Sequence, residues 1–395
     1  MIQPVLNRYT SVCSTRDCVP APIPGACCLI SDLNTVAPLP PEASLPTRRT
    51  LRDWLTPMTQ RSSARALGLV IIDYLLFGIL LAAILMVRNG WLKAALGLAC
   101  GFVIGRLFIL GHDACHQSFT PSSRLNRWLG RLVFLPSLTP YSLWEIGHNV
   151  VHHGYTNLKH FDFVWQPPSL EEYRAMSFWR RNLEQVYRSG WAPGLYYLLE
   201  VWWKRMFFPR AKNMKTRRPI FFRDCVLVSA AAFVWVAGIA WVAYVSHQSV
   251  WLLELCAFAI PFLFWNMMIG FVVYVHHTHP EIDWYDDKTA WAAAQPFVST
   301  TVHLTFGRML GIKISALLHY IMEHTAHHVD MRVPLYHLAA AQEILETRLT
   351  GRIVIQRFSW RWYFDTARRC KLYDIQRHCW TDFDGRPTST IRGPQ

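Results

Sequence analysis

Residues 250–279 read VWLLELCAFAIPFLFWNMMIGFVVYVHHTH, an apolar run that ends in His276-His277-Thr278-His279. Val250 to Val275 is long enough, as a helix, to cross the roughly 30 Å hydrocarbon core of a bilayer. Pro261 predicts a kink, and Glu254 lies near the end opposite the charged tail, so neither argues against a span. Three further runs match it: Ala66 to Val87, Ala94 to Leu110 and Cys225 to Val245. Arg106, near the end of the second, is expected to snorkel to the interface.

The rest of the chain agrees with a bilayer solvent. Apolar residues make up 52% of it, charged residues only 17% and aromatics 14%, and the mean hydropathy is positive at +0.14. Such a composition excludes a disordered or coiled-coil protein, and ten cysteines in 395 residues are too sparse for a disulfide scaffold. The net charge of +14 is explained by where its 40 basic residues sit. Seven precede the first span, three lie within or between the first two, 16 fall between 111 and 223, none separates the last two spans, and 14 follow Val275. By the positive-inside rule, two helical hairpins then place both termini and the middle segment in the cytoplasm, with no role for nucleic acid.

The expected fold is therefore an all-α integral membrane protein. Four transmembrane helices at 66–87, 94–110, 225–245 and 250–275 form two hairpins under a cytoplasmic helical cap. Residues 1–64 read as a flexible, Pro-rich leader: their apolar stretch Val19 to Ile30 is broken by Pro20, Pro22 and Pro24, unlike a signal peptide. Cys13, Cys18, Cys27 and Cys28 there have no histidine nearby and no zinc-ligand pattern. Residues 65–340 form the membrane domain and 341–395 a cytoplasmic tail. Leu132 to Gly147 and Trp191 to Phe208, too short or too polar to span, are expected to lie in the interface.

Sixteen of the 17 histidines fall on the cytoplasmic side, and only His247 lies in the outer turn. Besides 276–279 they form His112-Asp113-Ala114-Cys115-His116, His148-Asn149-Val150-Val151-His152-His153 and His324-Thr325-Ala326-His327-His328. Residues three or four apart share a helix face, so His112 with His116, His148 with His152, and His324 with His327 and His328 can each converge on one point. The adjacent pairs His152-His153 and His327-His328 diverge by about 100° around a helix, which lets one box reach two ions. Imidazoles without a cysteine or carboxylate pattern fit a borderline transition metal such as iron, and no His-Glu-x-x-His zinc motif is present. Single histidines such as His160, His247, His303, His337 and His378 read as ordinary surface or core residues.

With these motifs in hand, residues 65–340 resemble the membrane fatty acid desaturases, in particular the acyl-lipid Δ12/ω3 branch of bacterial type. The resemblance rests on HDxxH at 112–116, HxxxHH at 148–153 followed by Thr156, Asn157 and Asp162, HTHP at 277–280, and HxxHH at 324–328. His303 stands where plant relatives tend to carry an acidic residue, and His276 is additional; neither is given a role. The resemblance implies a non-haem centre of two iron ions. Its ligands would be His112, His116, His148, His152, His153, His324, His327 and His328, with a ninth from His277, although His276 or His279 could reach the same place. Carboxylates should fix the ligand tautomers, and Asp113, Glu145, Asp162 and Glu323 are nearest the boxes.

The implied activity is O2-dependent introduction of a cis double bond into the acyl chain of a membrane lipid. An external, ferredoxin-like donor would supply electrons, because the chain has no cytochrome b5 signature, no CxxC pair and no nucleotide-binding glycine motif. The implied setting is a multi-pass protein of the bacterial inner membrane. A hydroxylase or ketolase acting on lipids, carotenoids or alkanes would carry the same boxes. A metal transporter would need polar ligands along a path through the membrane, for which Asp73 and Asn266 are a poor set.

Overall fold

A computed structural model describes residues 44–214, 216–309 and 312–393; the four leader cysteines lie outside them. The elements used below are α1 Arg48–Leu55, α2 Ser63–Met86, α3 Gly90–Cys115, α4 Ser123–Phe134, α5 Tyr141–Glu145, α6 Phe178–Tyr187 and α7 Pro193–Tyr196. They continue with α8 Pro219–Val245, α9 Val250–His277, α10 His324–Val329, α11 Leu338–Arg348 and α12 Trp360–Arg369.

Helices α2, α3, α8 and α9 are each long and apolar enough to cross a membrane. Side-chain oxygens cap three of them: Ser62 for α2, Asn89 for α3 and Ser249 for α9 each accept a first-turn backbone N–H, and α8 begins at Pro219, where no N–H is lost. Only 17% of the apolar window of α2 and of α8 is buried, against 61% for α3 and 39% for α9. Helices α2 and α8 thus lie at the periphery with most of their apolar surface exposed, and α3 and α9 form the protein's centre. Close contact there depends on glycine: a Cβ at Gly97 would come 2.5 Å from the Cys256 carbonyl oxygen, and one at Gly101 would come 2.7 Å from that of Pro261.

Two of these helices run past the ends read from hydropathy. α3 continues from Leu110 to Cys115 and carries His112, and α9 continues to His277. Polar residues can extend a membrane helix where the protein itself buries them, and both segments lie inside the protein. Arg106 does not snorkel. It is mostly buried and donates to Asp73 Oδ1 of α2 from Nε (2.9 Å) and Nη2 (2.7 Å), and His319 bonds the other oxygen at 2.6 Å. Asp73 is thus the hub of a link between α2, α3 and the loop before α10.

Each of the two segments expected in the interface buries one face in the core and leaves the other exposed, as at Leu132, Trp191 and Trp203. Tyr141, Leu143 and Trp144 are buried, as are Tyr196, Tyr197, Val201, Trp202 and Met206, all in the largest hydrophobic cluster. They supply aromatic bulk that the glycine-lined α3 lacks. Nor is the described part of the expected leader loose: α1 buries Leu51 and Leu55 beside Val329, Leu338 and Leu345. The tail folds back too. Val354–Arg357 pairs in parallel with Val302–Thr305, and Leu372–Asp374 pairs antiparallel with Cys379–Thr381. With the Arg308–Met309 and Ile312–Lys313 pair, these are short β additions to a mostly helical protein that was expected to be all-α.

Candidate metal centre

Every box histidine is buried. His112 sits in the last turn of α3 and His116 at its C-cap, His277 ends α9, and His324, His327 and His328 lie on α10. After α5 the chain widens into a π-helical turn, Ile146–His152, which carries His148 and His152, with His153 as its cap. The structure gathers these nine rings into two groups. One comprises His112, His116, His148, His153 and His327; the other comprises His152, His277, His324 and His328; within each, one ring nitrogen per residue lies within 4.8 Å of the others.

The division follows from local geometry. His152-His153 and His327-His328 each place one ring in either group, as diverging neighbours on a helix should. The expected pairing of His148 with His152 is replaced by His148 with His153, whose Nε2 atoms are 3.1 Å apart. The π turn is the reason, because it bonds His153 N to the His148 carbonyl five residues back and brings those two positions together. On α10, His324 joins His328 one turn on, while His327 turns to the other group. Of the three alternatives at the end of α9, only His277 enters a group. His276 stacks on His324 at 3.8 Å with its Nε2 against Met322 Sδ, and His279 accepts the Glu281 N–H.

Ring orientation is set from behind in the four-histidine group. His152 Nδ1 donates to both oxygens of the fully buried Asp162 (3.2 Å each), and these also accept the N–H groups of Asn157 and Val164. His277 Nδ1 donates to the Thr300 carbonyl at 3.1 Å. Thr156 gives its hydroxyl proton to the His152 carbonyl and so accepts from His328 Nδ1 at 3.3 Å. With Nδ1 carrying the proton, the Nε2 lone pair of each ring faces inward. Asp162 is therefore the one proposed carboxylate that meets a box histidine. Asp113 accepts from Ser118 (2.7 Å) and the Leu335 N–H, Glu145 from Tyr141, and Glu323 from Ser315 (2.9 Å). The Thr300 carbonyl went unnoticed in sequence, and Thr156 was noted beside its motif without a role, since neither is an acid.

The short α10 is held at both ends by distant residues. Gln342 Oε1 accepts the Ala326 N–H at 2.9 Å, serving as the cap that Glu323 does not provide. Arg48 donates to the carbonyls of His328 (2.7 Å) and Val329, and Arg52 to that of Val329, placing cations at the helix C-terminus. His303, left without a role in sequence, pairs with Glu346, which also accepts from Gln342.

Burial first, and mutual repulsion second, hold the rings of His116, His148, His153, His324, His327 and His328 neutral well below the ordinary histidine range. Neutral imidazoles are what a metal needs. Nε2 atoms face one another at 2.7 Å between His112 and His148, 3.0 Å between His327 and His153, and 2.9 Å between His324 and His277. In any such pair only one nitrogen can donate, and His328 Nε2 has no hydrogen-bond partner at all. A cation within each group would satisfy these lone pairs, and an all-nitrogen set suits a borderline transition metal.

Both groups border one narrow apolar cavity of about 50 Å³. His112, His148, His152, His276, His277 and His324 form one wall. From them it follows α9 past Val273, Val272, Ile269 and Met268 to Trp265, a descent of roughly 18 Å at helical rise.

A family model described as fatty acid desaturase matches residues 89–360. The chain is 28% identical to an sn-1 oleoyl-lipid 12-desaturase of Arthrospira platensis over 65% of its own length and 71% of the relative's. It is 27% identical to a chloroplastic omega-6 fatty acid desaturase of Spinacia oleracea over 84% and 71%. Identity to an sn-1 acyl-lipid omega-3 desaturase (ferredoxin) of a Synechocystis strain is 28% over 80% and 85%.

Proposed function

The chain belongs to the fatty acid desaturase family, and from that premise we propose that it introduces a cis double bond into the acyl chain of a membrane lipid. The observation that carries this reading is the junction of two all-histidine groups with a deep apolar cavity. His112, His116, His148, His153 and His327 would hold one iron ion, and His152, His277, His324 and His328 the other. Bound iron supplies, with O2 and two external electrons, the oxidising power that no side chain has for an unactivated methylene pair.

The protein's own residues bind, aim and seal. Phe108, Tyr197, Trp265 and Ile269 offer an acyl chain an apolar lining in place of water, and Trp144, stacked on His148 at 5.0 Å, packs against the histidine wall. A chain lying along α9 puts one fixed stretch of methylenes beside the histidines, which sets the position of the double bond by geometry. Asp162, Thr300 and Thr156 keep the rings from turning.

On this reading two helical hairpins cross a bacterial inner membrane, with the histidine cap and both termini on the cytoplasmic side; the concentration of basic residues in those segments supports it. The electrons would come from a ferredoxin-like donor docking on that face, in keeping with the donor printed in the name of the Synechocystis relative. Gas chromatography with mass spectrometry of derivatised lipids tests the reading. Expression in a host of defined lipid content is expected to yield one new double bond at a single position, and a hydroxy or keto product in its place would overturn it.

A further inference from the structure

The apolar cavity has a polar neighbour. Phe163 lines both spaces: Met206 and Gly147 border it on the cavity side, while Glu172, Arg180, Glu184, Glu200 and Arg205 surround the adjoining pocket. Tyr196 fixes this partition by donating to the Phe163 carbonyl at 2.9 Å, and the Arg205 guanidinium lies 4.4 Å over the ring.

Charge around the pocket is paired with one exception. Glu172 bonds Lys159 at 2.8 Å; Glu184 bonds Arg180 at 2.9 Å and Arg188 at 2.6 Å; Glu200 bonds Arg180 and, at 2.6 Å, Lys204. All three carboxylates are thus taken by other cations. Arg205 forms no ion pair among the described residues, and its one hydrogen bond is a long 3.5 Å contact with the Asn213 carbonyl. A half-buried guanidinium without an anion lacks what its geometry is built to hold, two oxygens of one planar or tetrahedral anion.

The pocket also sits at a membrane boundary. Phe178 and Trp179, next to Arg180, are 68% and 79% exposed, and Trp203, two residues before Arg205, is 57% exposed. Exposed aromatics of this kind mark headgroup depth. We propose that this pocket receives the phosphate-bearing headgroup of the lipid whose acyl chain enters the apolar cavity, with Arg205 as the phosphate-binding residue. The inference rests on the lipid desaturase reading and adds the headgroup class to it.

Energy transfer from tryptophan to pyrene-labelled lipids, in the full-length protein purified in detergent, tests it without turnover. Phosphatidylglycerol is expected to bind about tenfold more tightly than diacylglycerol with the same chains, the scale of one charge-assisted contact. Arg205→Gln should remove that preference while leaving diacylglycerol binding unchanged, which also reports an intact cavity. Arg205→Lys should restore part of it, and Lys204→Gln should leave it whole. A preference that survives in Arg205→Gln overturns the site. So does Arg205-dependent binding of glycerol 3-phosphate alone, which would make it a soluble phosphate site, or stronger Arg205-dependent binding of oleoyl-CoA than of phospholipid, which would make it a thioester site. If neither lipid binds the unaltered protein, the desaturase reading itself falls.

Discussion

The two histidine groups sit side by side and are held differently. In the group of four, His152, His277 and His328 each have Nδ1 tied to Asp162, Thr300 or Thr156, and only His324 Nδ1 lacks a partner. In the group of five, Nδ1 of His116 and of His153 is buried without a hydrogen bond. The first group is oriented by the protein, whereas the second is oriented mainly by packing of ring on ring, as where the His153 and His328 planes stack at 4.2 Å across the two groups. A ligand set tied from behind holds its geometry before the ion arrives; one that is not should gain more of its order from the ion.

The largest test removes one ring from either group. His327→Ala is expected to lower the iron content of purified protein from about two per chain toward one and to abolish desaturation, and His277→Ala should do the same from the other side. Elemental analysis counts the iron, and thermal denaturation distinguishes the groups: if the five-histidine group depends more on its ion, His327→Ala should cost more thermal stability than His277→Ala. Equal losses would break the comparison.

Acid comes next. The folded-state values of His116, His148, His153, His324, His327 and His328 are depressed, while unfolded histidines titrate near 6.5. Below that pH the unfolded chain therefore takes up protons that the folded chain refuses. Stability of the metal-free protein is thus greatest above about pH 7 and falls as pH drops below the unfolded histidine value. Denaturation midpoints measured between pH 8 and 5 check this; a midpoint unchanged on acidification would contradict the buried, neutral clusters.

The smallest effects should come from the tethers. Asp162→Asn, which offers His152 Nδ1 an amide in place of a carboxylate, is expected to weaken metal retention against a chelator by roughly 10- to 100-fold. Thr156→Ala, losing a single 3.3 Å bond to His328, should cost less than tenfold, on the scale of one neutral hydrogen bond. If Thr156→Ala matched Asp162→Asn, charge at the tether would not be what matters.

Particular residues show how far sequence reading reaches. The four spans follow from runs of apolar side chains, although the buried extensions carrying His112 and His277 do not, because hydropathy registers polarity without knowing what covers it. Asp113, Glu145 and Glu323 lie as close to the boxes in sequence as Asp162 does or closer, yet they bond Ser118, Tyr141 and Ser315. Burial pushes the carboxyls of Glu145 and Glu323 upward, which suits such hydroxyl neighbours better than a role as a charged anchor. Arg106 was legible as a cation at a span's end but not as the partner of Asp73, 33 residues away on another helix.

The sequence by itself determined the apolar helices, the segments in which positive charge gathers, and eight of the nine histidines that assemble, because hydropathy, charge bias and three- or four-residue spacing are local properties of a chain. Tertiary structure alone decided which rings share a group and which group is tied down. Those outcomes depend on a π turn that pairs His148 with His153, on the end of α9 choosing His277 over its neighbours, and on Asp162 and Thr300 reaching rings from other segments. An imidazole can serve an ion only within a few ångströms, and at that range the packing of α3, α9 and α10 against one another counts for more than distance along the chain.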